Sequence, residues 1–192
     1  MELIQKMRNE TGAGIMDIKQ ALVEAKDDEK LALEFLRKRG QKIAAKKQAE
    51  RVAKNGVVEA YIHAGGQVGA MIILASETDF VAKNSEFKNL AKEIAMQVAA
   101  MKPEYISRED VPMDLVEKEK EIYKGQLKQE GKPETMWDKI AEGKLEKYYE
   151  QICLLDQPYI KDDSKKIKDL VNEATAKLGE KLEVKQMIVF GI

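Results

Sequence analysis

Val68-Gly69-Ala70-Met71-Ile72-Ile73-Leu74-Ala75, followed by Glu77-Thr78-Asp79-Phe80-Val81-Ala82-Lys83-Asn84, is the stretch on which the fold turns. An apolar run of that length reads as a buried strand. After it, Phe87, Leu90, Ala91, Ile94, Val98 and Met101 recur at three- and four-residue steps, which predicts an amphipathic helix from about Ser85 to Met101, closed by Pro103. Thr78–Val81 is therefore the handover from strand to helix, and it carries an acid beside a large aromatic where polar turn residues are usual. Phe80 has two readings at this point: a staple folded back under the helix start, or an exposed anchor.

The pattern continues on both sides. Val57, Val58, Ala60, Tyr61 and Ile62 suggest a preceding strand, and Ala64-Gly65-Gly66-Gln67 suggests the hairpin turn between the two. Leu182 to Phe190 alternates as a closing strand, with Leu182, Val184, Gln186, Ile188 and Phe190 expected on one side. Ser164 is expected to cap a helix carrying Ile167, Leu170, Val171, Ala174 and Leu178. Three strands with helices on one face make an α+β two-layer core with a three-stranded antiparallel sheet. Between its halves, helical stretches at about Met113–Gln129 and Glu134–Ile152 flank Gly131-Lys132-Pro133, the signature of an antiparallel helical hairpin. Their sparse apolar positions suggest a narrow coiled-coil seam projecting into solvent.

Residues 1–40 read as three short helices. Leu3, Ile4 and Met7 line the first, Gly12 and Gly14 break it, and Ile15, Ile18, Ala21, Leu22 and Ala25 line the second. Asp27-Asp28 offers an N-cap to a third helix with Leu31, Ala32, Phe35 and Leu36 inside, ended by Gly40. Residues 41–54 then form a basic linker before a core at 55–192, whose hairpin occupies about 113–152. From Arg37 to Lys54 there are eight cations against the single acid Glu50, a net of +7. Three readings fit so basic a stretch: a solvated linker helix, a surface for RNA phosphates, or one for an acidic protein. It lacks the aromatic residues that stack single-stranded bases.

Composition restricts the function. Charged residues are 35% of the 192, above the roughly 25% of ordinary globular proteins, yet the net charge is only −1. That balance describes long helices with interleaved charge. The apolar runs fall short of the roughly 20 residues a membrane span needs. The start of the chain lacks the features of a secretion signal. The lone cysteine, Cys153, cannot form an internal disulfide, which points to a reducing cytoplasm. It lies in Ile152-Cys153-Leu154-Leu155, where a small buried hydrophobe is the expected role. One histidine and one cysteine cannot assemble a metal site or a catalytic relay. No phosphate-binding glycine loop is present, and Gly12-Ala13-Gly14 is followed by Asp17 where a dinucleotide fingerprint needs glycine. An enzyme is not expected, and no cofactor.

Three segments, in order and at matching spacing, resemble the elongation factor Ts family. Thr78-Asp79-Phe80-Val81 is similar to its Thr-Asp-Phe-Val signature. Arg8 to Leu22, with its Thr11-Gly12-Ala13-Gly14 turn, looks like its N-terminal signature, and Gln157-Pro158-Tyr159 resembles its Gln-Pro-Phe element with Tyr for Phe. The resemblance implies a ubiquitin-associated-like N-terminal bundle and guanine-nucleotide exchange on elongation factor Tu without catalytic side chains. It implies that Thr78, Asp79, Phe80 and Val81 enter the partner's G domain and disturb its Mg²⁺ site, while Arg8, Thr11, Gly12 and Met16 hold a neighbouring helix. Tyr61-Ile62-His63-Ala64-Gly65 resembles a Tyr-x-His-Gly segment that faces elongation factor Tu in the second core half of longer members, so His63 is either a plain surface residue or a further contact. This sequence has strands for only one core half. Two copies forming a homodimer would rebuild the longer arrangement.

Overall fold

The computed structural model describes residues Glu2–Ile192. Its first half runs α1 (Glu2–Thr11), α2 (Ile15–Glu24), α3 (Glu29–Glu50), β1 (Asn55–Ile62), β2 (Val68–Ser76), α4 (Asp79–Lys83) and α5 (Ser85–Met101). The second half runs α6 (Met113–Gln129), α7 (Trp137–Ile152), β3 (Pro158–Tyr159), β4 (Asp162–Lys166), α8 (Ile167–Leu178) and β5 (Glu183–Gly191).

The protein is α+β. Antiparallel β1, β2 and β5 form a sheet in the order β1-β2-β5, so the most continuously apolar strand takes the centre. Ala70, Ile72 and Leu74 of β2 point into one core with Phe87, Leu90, Ile94 and Val98 of α5, Ile167 and Val171 of α8, and Leu154. The helices cover only that face of the sheet. On the other face Val58, Ile62, Met71, Ile188 and Phe190 stand exposed.

The expected alternation along the last strand is corrected here. Ile73 pairs with Gln186 but Leu74 with Val184, which leaves Lys185 as an extra residue in a bulge. One inserted residue exchanges the two faces of everything beyond it. Leu182 and Val184 are buried, whereas past the bulge Met187 and Val189 pack on the core and Ile188 and Phe190 face outward.

Gly40 does not end its helix. A Cβ placed there would lie 3.2 Å from the Cβ of Ala176, so glycine lets α3 run close across α8 and continue ten residues further, to Glu50. Ala44 is fully buried on that continuation. At its start, Asp28 caps α3 by accepting the Leu31 amide at 3.0 Å. A separate small core of Met7, Ile18, Ala21, Leu22, Ala32 and Leu36 unites α1, α2 and the first turns of α3.

Helices α6 and α7 form the expected hairpin, although Glu134–Met136 is a 3₁₀ turn and the α-helix begins at Trp137. Leu127, Ala141 and Leu145 are its buried seam. Its base is tied down by Arg108, which donates to both Asp156 oxygens at 2.9 and 2.8 Å and to both Glu146 oxygens at 2.6 and 2.7 Å. Ser164 is not a helix cap. It lies in β4 with its hydroxyl donated to Asp162, and Lys166 takes the cap position of α8. Gln157 is wholly buried, its carbonyl accepting from Gln97 at 3.1 Å and its amide donating to Gln151 O at 3.0 Å, so the Gln157-Pro158-Tyr159 element works inside the fold.

Candidate partner-binding site

At the end of β2 the chain turns out of the sheet under local control. The Ser76 hydroxyl donates to Thr78 O at 2.8 Å and the Asn55 side-chain amide to Glu77 O at 2.7 Å. Thr78 is the N-cap of α4, its hydroxyl oxygen accepting the Val81 amide at 3.5 Å. Asn84 closes α4 and caps α5, accepting the Glu86 amide at 2.8 Å. These caps suit a sequence with Thr78 and Asn84 on either side of Asp79–Lys83.

Within the single turn of α4 the side chains divide. Ala82 is buried and Val81 packs on the core. Phe80 lies two residues from Ala82, roughly 200° around the helix axis, and is 83% exposed. The staple reading of Phe80 is therefore overturned; the buried aromatic of this region is Phe87, at 0%. Asp79 pairs with Lys83 at 2.7 Å, and hydrogen bonding from that ammonium holds its carboxyl below the usual aspartate range. An exposed ring beside an ionised carboxylate on a short, doubly capped turn offers an apolar anchor and a charge. It has no nucleophile or base set against them.

A second group of residues, with no local signal in the sequence, fixes this loop from outside its own segment. Glu180 accepts the Thr78 amide at 2.9 Å and the Thr78 hydroxyl at 2.6 Å. Glu77 accepts the Lys181 amide at 2.6 Å and Arg51 at 3.1 Å. Desolvation pushes the Glu77 carboxyl up, but the Lys181 amide and Arg51 outweigh it and leave it below its ordinary value.

The N-terminal residues divide as well. Thr11 donates its hydroxyl to Met7 O at 2.6 Å and accepts the Ala13 amide at 3.2 Å, so it shapes the turn. Gly12, at φ +67°, rests against Lys177 of α8. Met16 is 76% exposed and Arg8 forms no ion pair among the described residues. His63 lies at the far end of β2 from Thr78, with its Nδ1 3.2 Å from the Tyr61 hydroxyl. Nine residues of strand separate the two ends, roughly 25–30 Å, so His63 and Phe80 cannot belong to one compact contact.

Cys153 is fully buried, and desolvation pushes its thiol up to about 12, which keeps it protonated and unreactive near neutrality. Among the described residues no group of three or more His, Cys, Asp or Glu could hold a metal ion, and no helix is long and apolar enough to cross a membrane.

The family model described as Elongation factor TS matches residues 1–192, the full length of the chain. The chain belongs to the elongation factor Ts family. It is similar to the Elongation factor Ts of Thermotoga petrophila, 54% identical over all 192 residues and 95% of that protein. It is 51% identical to that of Desulforamulus reducens over 97% of this chain and 85% of the relative. It is also 51% identical to that of a Thermoanaerobacter species over 98% and 92%. Membership of the elongation factor Ts family makes this a translation elongation factor, a protein of protein biosynthesis.

Proposed function

We propose that the protein is the guanine-nucleotide exchange factor for elongation factor Tu, acting by contact alone and not as an enzyme. The observation that carries this reading is Phe80, exposed on a loop whose backbone is capped and tied at both ends. Thr78, Asp79, Phe80 and Val81 are the segment proposed to enter the G domain and disturb its Mg²⁺ and nucleotide site. Binding linkage then requires that protein and nucleotide weaken each other by the same factor. Residues 1–40, with their ubiquitin-associated-like resemblance, are proposed as a docking module through Arg8, Thr11, Gly12 and Met16. Such a factor works in the cytoplasm and needs no cofactor. The test is release of labelled GDP from elongation factor Tu with and without this protein; an unchanged rate refutes the reading.

The RNA- or ribosome-associated alternative is weaker. Of the eight cations between Arg37 and Lys54, five already have partners: Arg37 with Glu173, Lys38 with Glu34, Arg39 with Glu24, Arg51 with Glu77, and Lys47 with Gly179 O. The four carboxylate pairs offset half of that charge and the Gly179 O bond holds Lys47 in place, which reduces what is free to neutralise phosphates.

A homodimer is also proposed. The uncovered face of the sheet brings together Val58 beside Ile73, Ala60 beside Met71 beside Ile188, and Gly69 beside Phe190. A contiguous exposed apolar face of this kind marks an association surface. Two copies meeting through it about a two-fold axis would bury it on both chains.

A further inference from the structure

Phe80 has almost nothing packed on it, so its direction is set by the backbone that carries it. That backbone is a five-residue helix, too short to persist by its own hydrogen bonds. Four things fix it: burial of Ala82, packing of Val81 on the core, the Asn84 cap, and the position of Thr78. Thr78 is exposed; the neighbouring Ser76 hydroxyl holds its carbonyl, while the group that takes its amide and hydroxyl is 102 residues away.

We propose that Glu180 is a positioning residue for Phe80, and that the Gly179–Leu182 loop is the joint through which helix α3 sets the pose of the Thr78–Val81 segment. One Glu180 carboxylate takes both donors of the capping residue, the Thr78 amide at 2.9 Å and its hydroxyl at 2.6 Å. Bonds to an ionised acceptor are the stronger kind, and a two-point grip fixes orientation as well as distance. With its proton committed to Glu180, the Thr78 hydroxyl keeps its lone pairs directed to the Val81 amide.

Glu180 is itself held. It follows Gly179, which ends α8 in the left-handed conformation at φ +80°. From α3, Lys47 donates to Gly179 O at 2.7 Å and Gln48 to Leu182 O at 2.6 Å, while Lys181 returns a bond to Gln48 O at 2.7 Å. Lys181 also gives its amide to Glu77 at 2.6 Å, beside Thr78. The loop is thus bonded on one side to the helix that carries the N-terminal module and on the other to the residues that present Phe80. A loop fixed in its bound pose before binding avoids the ordering cost that a loose one meets on association.

The functional half of this inference rests on the exchange-factor reading; the structural half stands on the free protein. The experiment compares Glu180→Ala and Glu180→Gln with the parent by amide hydrogen exchange, thermal melting and GDP release from elongation factor Tu over a range of concentrations. In free Glu180→Ala, the Thr78, Val81 and Ala82 amides exchange at least about tenfold faster, as expected when a charged acceptor is lost. Amides of Ile72, Leu74 and Ile94 and the melting temperature hold. The maximal rate of GDP release falls roughly 3- to 30-fold, while the half-saturating concentration changes less than about threefold because the module's contacts remain. Glu180→Gln keeps an oxygen for one of the two donors but no charge, and recovers only part of the loss. Unchanged loop amides in Glu180→Ala overturn the positioning role, and loosened amides with an unchanged maximal rate overturn its link to function. If the parent protein itself leaves GDP release at the spontaneous rate, the exchange-factor reading fails separately, and the loop amides still decide the structural half.

Discussion

Gly12 and Lys177 are in direct apposition: a Cβ on Gly12 would lie 2.7 Å from Lys177 Cγ and 2.9 Å from its Cα. The turn between α1 and α2 therefore rests on the backbone of α8, and Lys177 continues the link to α5 by pairing with Glu86 at 2.7 Å. A side chain at 12 meets two obstacles, a main-chain contact that cannot swing aside and a φ of +67°. The left-handed conformation alone costs about 1–2 kcal/mol for a non-glycine residue. Gly12→Ala should loosen the N-terminal module while sparing the sheet core, seen as a larger radius of gyration and earlier proteolysis within α3. Unchanged scattering and proteolysis would show that the apposition holds nothing in place.

The strand at Val68–Ala75 and the helix at Ser85–Met101 were legible because their determinants are local: an apolar run, then a helical period. The N-terminal helices and the hairpin were legible for the same reason. What was not legible depends on partners far along the chain. The Lys185 bulge follows from how β5 pairs with β2, so nothing in Leu182–Phe190 announces that Ile188 and Phe190 turn away from the core. Gly40 looked like a helix stop because glycine often is one; only the nearness of Ala176 shows that it serves close packing. Glu180 looks like any charged residue in a helix-to-strand loop until Thr78 is brought to it.

The hairpin should be the acid-sensitive element. Burial pushes the Asp156 carboxyl up, but hydrogen bonds and charge from Arg108 outweigh it and hold it below the ordinary 3.8. A carboxyl depressed in the folded state contributes stability above its unfolded value and loses it as pH falls through the folded one. Hydrogen-exchange protection in α6 and α7, taken relative to the intrinsic rate at each pH, should therefore stay flat from neutrality to about pH 5 and fall below about pH 4. Asp156→Asn should lower stability by about 1–3 kcal/mol near neutrality and flatten the acid limb, because Arg108, its side chain 31% exposed, retains Glu146. A variant with an unaltered acid limb would assign the acid sensitivity elsewhere.

Gly125 and Gly143 sit inside α6 and α7 with open space where a Cβ would go. Glycine in a helix interior costs about 0.8–1 kcal/mol relative to alanine. Gly125→Ala and Gly143→Ala should each slow hydrogen exchange in the hairpin by about that amount and add when combined. A loss of stability in either would mean that the helices need the flexibility locally.

If the outer sheet face joins two copies, sedimentation equilibrium at micromolar concentration should return about twice the chain mass of 21.7 kDa. Ile188→Lys and Phe190→Lys place charges on exposed positions of that face and should give monomers with unchanged melting of the isolated chain. A mass near 21.7 kDa for the parent protein would end the proposal.

Phe80 and Phe87, seven residues apart, give the sharpest contrast. Phe87 is fully buried, so Phe87→Ala should cost about 3–5 kcal/mol of folding stability and lower exchange activity only through unfolding. Phe80 is 83% exposed, so Phe80→Ala should leave the melting temperature within a degree or so of the parent. Aromatic anchors at interfaces lose about 2–4 kcal/mol on truncation, which corresponds to a roughly 30- to 1000-fold weaker action on elongation factor Tu. Asp79→Ala gives up an exposed pair with Lys83, so it should leave melting nearly unchanged and should also slow GDP release. Melting and GDP release measured together on the three variants separate the roles. A Phe80→Ala protein that stays folded and releases GDP at the parent rate would remove the anchor from the mechanism.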